Sequence, residues 1–120
     1  MYKYAAKLIR VIDGDTVVLD VDLGYTVRVI VTFRLYGIDA PEVTGENKIA
    51  GQASKAALQK ILDNAVPDAK GNKLIYVDST GRDKYGRWVA KLAVYNTTDA
   101  EPFDVSERLV TEGFAVKTIY

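Results

Sequence analysis

Apolar and polar residues alternate along the first third of the chain, switch to a helical period, then alternate again. Val17, Leu19, Val21 and Leu23 are spaced by Val18, Asp20 and Asp22, the two-residue period of a half-buried strand over 17–23. Residues 7–12 are apolar-rich and 26–36 form a β-branched run. A strand is therefore expected on either side, with a tight turn at Gly24-Tyr25 before the third. Residues 37–47, with Pro41 and Gly45, read as loop. Over 49–65 the period changes: Ala50, Ala53, Ala57, Leu58, Ile61 and Leu62 recur at helical spacing, which predicts one long amphipathic helix. Residues 74–78 and 88–95 return to strand character around a charged loop at 79–87, and Trp88 is expected in the core. After a polar loop over 96–103, Asp104 and Glu107 have the N-cap and capping-box spacing of a short helix that runs to about Glu112 and is closed by Gly113. Residues 115–119 add a last extended piece.

The expected class is mainly β with helices (α+β). Five strands, a long helix after the third and a short C-terminal helix follow the order of an OB-fold barrel. With 120 residues and no repeat or linker, one domain over 1–120 is expected.

Composition narrows the chemistry. There is no Cys and no His. Disulfides, thiolate metal sites and histidine acid–base catalysis are excluded, which leaves oxygen ligands and hard cations such as calcium, magnesium or manganese. Net charge is zero and the pI about 6.2, so bulk charge does not draw the chain to nucleic acid, and weaker, salt-sensitive binding is expected. The charge is nevertheless polarised: residues 13–22 hold four Asp and no Lys or Arg, whereas 82–91 hold four basic residues and one Asp. No run approaches the ~20 apolar residues of a membrane helix. The N-terminus lacks the apolar stretch of a signal peptide, so a cytoplasmic location is the default expectation, with a secreted mature form as the alternative.

Three runs carry candidate chemistry. Asp13-Gly14-Asp15-Thr16 reads as a turn, or as a turn that presents Asp15 to a metal. Arg34 sits in an apolar strand, where an unpaired charge is too costly, so it either pairs with a carboxylate or faces a polar pocket. Asp39 and Glu42 follow, with Pro41 between them. Asp83-Lys84-Tyr85-Gly86-Arg87 reads as a solvated hairpin loop that also offers cations. Carboxylates that hold a hard cation and arginines that clamp phosphate oxygens are the parts of a metal-assisted phosphodiesterase.

Taken in order, Arg10-Val11-Ile12-Asp13-Gly14-Asp15-Thr16, Thr32-Phe33-Arg34-Leu35, Asp39-Ala40-Pro41-Glu42 and Asp83-Lys84-Tyr85-Gly86-Arg87 are similar to the signatures of the staphylococcal-nuclease-type family. Leu109-Val110 and Gly113-Phe114-Ala115 resemble its last-helix segment. The resemblance implies calcium held by Asp15, Asp39 and the backbone carbonyl of Ala40, with Glu42 against the attacking water. It further implies Arg34 and Arg87 on the scissile phosphate and Lys84 and Tyr85 on a neighbouring one. The implied reaction is calcium-dependent endonucleolytic cleavage of DNA and RNA, single-stranded or frayed, at the P–O5′ bond to leave 3′-phosphate ends. A monomer is only the default expectation, the sequence leaving the oligomeric state open. Ile119 stands where the family has a base-stacking Tyr, with Tyr120 next to it, and the family commonly continues into a further helix. The rival readings are a catalytically inactive nuclease-like OB module that binds nucleic acid or protein, and a calcium-binding structural domain.

Overall fold

The computed structural model describes residues 2–46, 48–67, 70–95 and 102–118. Three long strands open the chain: β1 (Tyr2–Asp13), β2 (Thr16–Gly24) and β3 (Val27–Leu35). They form an antiparallel meander in which Leu8 faces Leu19 and Val17 faces Phe33. The β2–β3 turn falls on Tyr25 and Thr26, which take φ of 55° and 64°, the successive positive values that a tight hairpin turn demands. A two-residue β4 (Ile38–Asp39) and helix α1 (Lys48–Asp63) follow. Then come β5 (Ile75–Arg82), β6 (Trp88–Val94), β7 (Phe103–Asp104), α2 (Val105–Thr111) and β8 (Val116–Lys117).

The large sheet runs β3-β2-β1-β5-β6-β7 and closes on itself where β3 pairs with β6 in parallel. The five long strands therefore make a closed barrel with two helices, as expected for an OB-fold. Closure joins Phe33 to Trp88, Arg34 to Val89 and Leu35 to Ala90. This register sets Arg34 beside the start of β6, immediately after Arg87.

Alternation fills the barrel. Leu19, Leu35, Ile75, Val77, Leu92 and Val94 are almost fully buried, and Leu58 from α1 and Leu109 from α2 cover the same core. Helix α1 turns Gly51, Ser54, Leu58, Ile61 and Leu62 inward, the three-and-four spacing of one helical face. Asp104 caps α2 by accepting a hydrogen bond from the Glu107 backbone N–H at 3.1 Å.

Several expected bounds move. β1 begins at Tyr2 rather than at residue 7, because its first residues pair with β5 from Tyr2–Ser79 to Ala6–Ile75. β5 runs on to Arg82 through a bulge between Ser79 and Gly81, so the loop expected at 79–87 shrinks to a turn around Asp83–Gly86. Residues 38–39 and Phe103 are strand rather than loop, Asp104 is the end of β7 as well as the expected cap, and α1 spans Lys48–Asp63 rather than 49–65. Trp88 is not core: it opens β6 at the barrel end, 40% exposed, with the Arg82 guanidinium 4.3 Å above its ring. Ile119 and Tyr120 lie outside the described residues.

Candidate active site

The tight β1–β2 turn delivers Asp15 to the end of the barrel with its side chain buried. A buried carboxylate persists only if its oxygens are satisfied. Oδ2 accepts from the Arg34 Nη1 and from the Ala40 backbone N–H, each at 3.0 Å, while Oδ1 accepts from the Thr16 hydroxyl at 3.0 Å. The backbone carbonyl of Asp15 accepts from Leu35 N–H at 2.8 Å, which ties the turn to the end of β3.

Arg34 joins two carboxylates. Its Nη2 donates to Asp39 Oδ1 and, at 3.2 Å, to the Ile38 carbonyl. The Arg34 and Asp15 side chains are 11% and 7% exposed, whereas Asp39 is 51% exposed. One guanidinium thus faces a buried acid on one side and a half-solvated acid on the other. Asp39 is positioned by the short β4–β8 ladder, in which it pairs with Val116.

Close backbone approach holds the neighbouring loop. A Cβ on Gly14 would fall 2.6 Å from Ser54 Cβ and 2.9 Å from Ala40 Cβ, so only glycine lets the turn lie between α1 and the loop after β4. A Cβ on Gly51 would fall 1.8 Å from the Glu42 carbonyl oxygen. Asp13 Oδ1 accepts from Val43 N–H at 3.3 Å, the next peptide along. The backbone of Glu42 is therefore seated on α1 while its side chain is exposed.

The 83–87 turn is organised by Asp83. Its Oδ1 accepts from the Tyr85 and Arg87 backbone N–H groups, each at 2.9 Å, and its Oδ2 from Arg87 Nε at 2.7 Å. The Arg87 guanidinium and the Lys84 ammonium each lie 5.2 Å from the Tyr85 ring centroid. Burial alone would raise the pKa of Asp83, but the hydrogen bonds from the Arg87 backbone and guanidinium, that from the Tyr85 N–H, and attraction to Arg87 together hold it below the ordinary 3.8. The ionised form is thus favoured by folding. Its contribution is complete above the ordinary value and disappears as pH falls through the lowered one. A carboxyl carbon NMR titration is expected to give Asp83 a midpoint below 3.8, with loss of 83–87 turn order along the same curve. A midpoint at or above that value would contradict it.

Asp15, Arg34, Asp39 and Ala40 come together in one locus. Glu42 is on the adjoining loop, and Arg87 precedes the β6 residues that pair with Phe33 and Arg34. Lys84 and Tyr85 share the Arg87 turn. Asp20 and Asp22 are elsewhere, paired with Arg28 on the hairpin. No three carboxylates gather into one cluster among the described residues. The donors that could hold a cation are the two convergent acids and the Ala40 carbonyl, all hard oxygens.

Residues 32–120 match the family model described as "Staphylococcal nuclease homologue". The chain belongs to this family. It is also 38% identical over 114 residues to a protein named "Thermonuclease" from Staphylococcus intermedius, an overlap of 92% of this chain and 58% of that relative. The chain thus spans just over half the length of the curated relative it matches. Two residues that shape this locus were given no role from the sequence. Asp83 reads as an ordinary turn acid until both of its oxygens are seen on Tyr85 and Arg87. Gly51 reads as a mild flaw in a helix until the Glu42 carbonyl is found against it.

Proposed function

We propose that the chain is a calcium-dependent nuclease that hydrolyses phosphodiester bonds of DNA and RNA, preferring single-stranded or frayed substrate and leaving 3′-phosphate ends. The observation that carries this reading is the convergence of Asp15 and Asp39 on one guanidinium, Arg34, with Arg87 leading into the paired strand. Both acids reach one guanidinium and the Ala40 N–H bonds Asp15, so Asp15, Asp39 and the Ala40 carbonyl would be the residues to hold one hard divalent ion. When bound, such an ion neutralises phosphate charge and lowers the cost of forming hydroxide.

The chain's own residues do the rest. Arg34 and Arg87 bind the non-bridging oxygens of the scissile phosphate and stabilise the charge that grows in the five-coordinate transition state, each preorganised donor contributing ~3–4 kcal/mol. Glu42, an exposed acid outside the Asp15–Arg34–Asp39 network, orients the attacking water and accepts its proton. Lys84 and Tyr85 hold the next phosphate along the strand. The barrel end and α1 keep these groups in register, so the geometry is set before substrate arrives.

Glu42→Gln keeps the shape of the side chain but removes its basicity. Cleavage of a single-stranded oligonucleotide is expected to fall by about 100-fold or more while binding persists. Undiminished cleavage by the purified variant would remove Glu42 from this role.

A further inference from the structure

Tyr36 lies one residue past the end of β3, in the turn to β4 and two residues after Arg34, and the alternation that buries Phe33 and Leu35 continues to it. Phe33 and Leu35 are 4% and 0% exposed toward the core, whereas Tyr36 is 40% exposed. Two strand residues advance roughly 7 Å along the chain, about the reach of one nucleotide. Tyr36 is also held rigidly. Its backbone N–H donates to the Ala90 carbonyl of β6 at 2.9 Å, and the carbonyl of the next residue, Gly37, accepts from Thr118 N–H at 2.9 Å. Gly37 itself has φ of 79°, a conformation that fixes the direction of the turn. From β6, one residue beyond the Leu35–Ala90 pair, the Lys91 ammonium lies 5.1 Å from the Tyr36 ring centroid.

We infer that Tyr36, flanked by Lys91, is a stacking platform for an unpaired nucleobase next to the phosphate bound by Arg34. The inference rests on the nuclease reading for what Arg34 binds. An aromatic ring can stack any base on one face, and the Lys91 ammonium over the ring attracts the adjoining phosphate, which is the chemistry of sequence-tolerant single-strand binding. A paired base faces its complement inside the duplex and cannot lie on this ring. The platform therefore supplies a physical cause for preferring single-stranded or frayed substrate. Half-exposed Tyr is common on small β-proteins. Tyr36 shares with Tyr85 a lysine over its ring and an arginine two residues away, and differs from it in the backbone bond that ties it to β6.

The test is anisotropy of a labelled single-stranded phosphorothioate oligonucleotide, read with calcium present and independent of cleavage. Tyr36→Ala and Tyr36→Leu are expected to weaken binding about tenfold, and Tyr36→Phe, which keeps the ring, to stay within about twofold of wild type. On the same strand with its bases removed around the binding register, the difference between Ala and Phe variants should vanish. In turnover on the unmodified strand, Tyr36→Ala is expected to raise KM and leave kcat unchanged. Equal binding by the Ala, Leu and wild-type proteins overturns the inference, as does an Ala defect of the same size on the abasic strand. If the wild type cleaves nothing yet the anisotropy still separates Ala from Phe, the nuclease reading falls and the platform stands.

Discussion

Gly51→Ala is expected to cut cleavage by on the order of 100-fold, the cost of displacing a reacting group by roughly 1 Å. Helix propensity alone predicts the opposite sign for stability, since alanine in a helix interior is favoured over glycine by about 1 kcal/mol. Sterics outweigh it. The new Cβ would meet the Glu42 carbonyl oxygen at 1.8 Å, its carbonyl carbon at 2.3 Å and Val43 N at 2.8 Å. All three are backbone atoms, so no rotamer change relieves the clash. The 42–43 peptide must retreat, which loosens the Asp13–Val43 hydrogen bond and carries the Glu42 side chain with it. Overpacking of this kind costs about 1–3 kcal/mol, so the variant should fold with a lowered melting temperature. Thermal unfolding together with kcat on a single-stranded oligonucleotide checks both halves. A variant with wild-type kcat would show that the contact does not position Glu42.

Arg34→Met should be the other severe variant, and its stability should depend on calcium. Removal of the guanidinium leaves the buried Asp15 and the half-solvated Asp39 converging with no cation between them. Breaking a buried pair by deleting one partner costs on the order of 3–5 kcal/mol. Because Asp39 is 51% exposed, most of that loss arises at Asp15, and the lower end of the range is expected. Asp15 keeps its bonds from Ala40 N–H and the Thr16 hydroxyl, which spares the turn itself. Loss of a transition-state donor should separately lower cleavage by about 100-fold or more. In wild type a bound cation must compete with Arg34 for the two acids, whereas in the variant that competition is gone. Calorimetry with and without calcium should therefore show a larger rise in melting temperature for Arg34→Met than for wild type. Equal calcium shifts in both proteins would contradict this account of the locus.

How much of this was legible beforehand varies by element. The β2 alternation, the α1 period and the Asp104 cap could be read directly, because each depends on neighbours in sequence. The Arg34 dilemma was legible too: an arginine in an apolar strand needed an acid or a pocket. It has two acids, and the sequence could not say that the proposed phosphate-binding group would be paired with the proposed metal acids. What escaped depends on long-range packing. Trp88 looks like core by type, but as the first residue of β6 it reaches the barrel end and meets Arg82. The strand character of 38–39 exists only because it pairs with 116–117, far along the chain. Gly51 carries no local sign that a loop peptide lies against it. Tyr36 was one of eight tyrosines without distinction until its anchoring to Ala90 and the position of Lys91 set it apart.

The central claim is that this barrel end is a calcium-dependent phosphodiesterase site. The most direct measurement is cleavage of single-stranded DNA by the purified chain, with calcium and with chelator, and with the chemistry of the product ends mapped. The account predicts cleavage with calcium, none with chelator, and products bearing 3′-phosphate and 5′-hydroxyl ends. Absence of cleavage with every divalent ion tried, or products bearing 5′-phosphate ends, would contradict it.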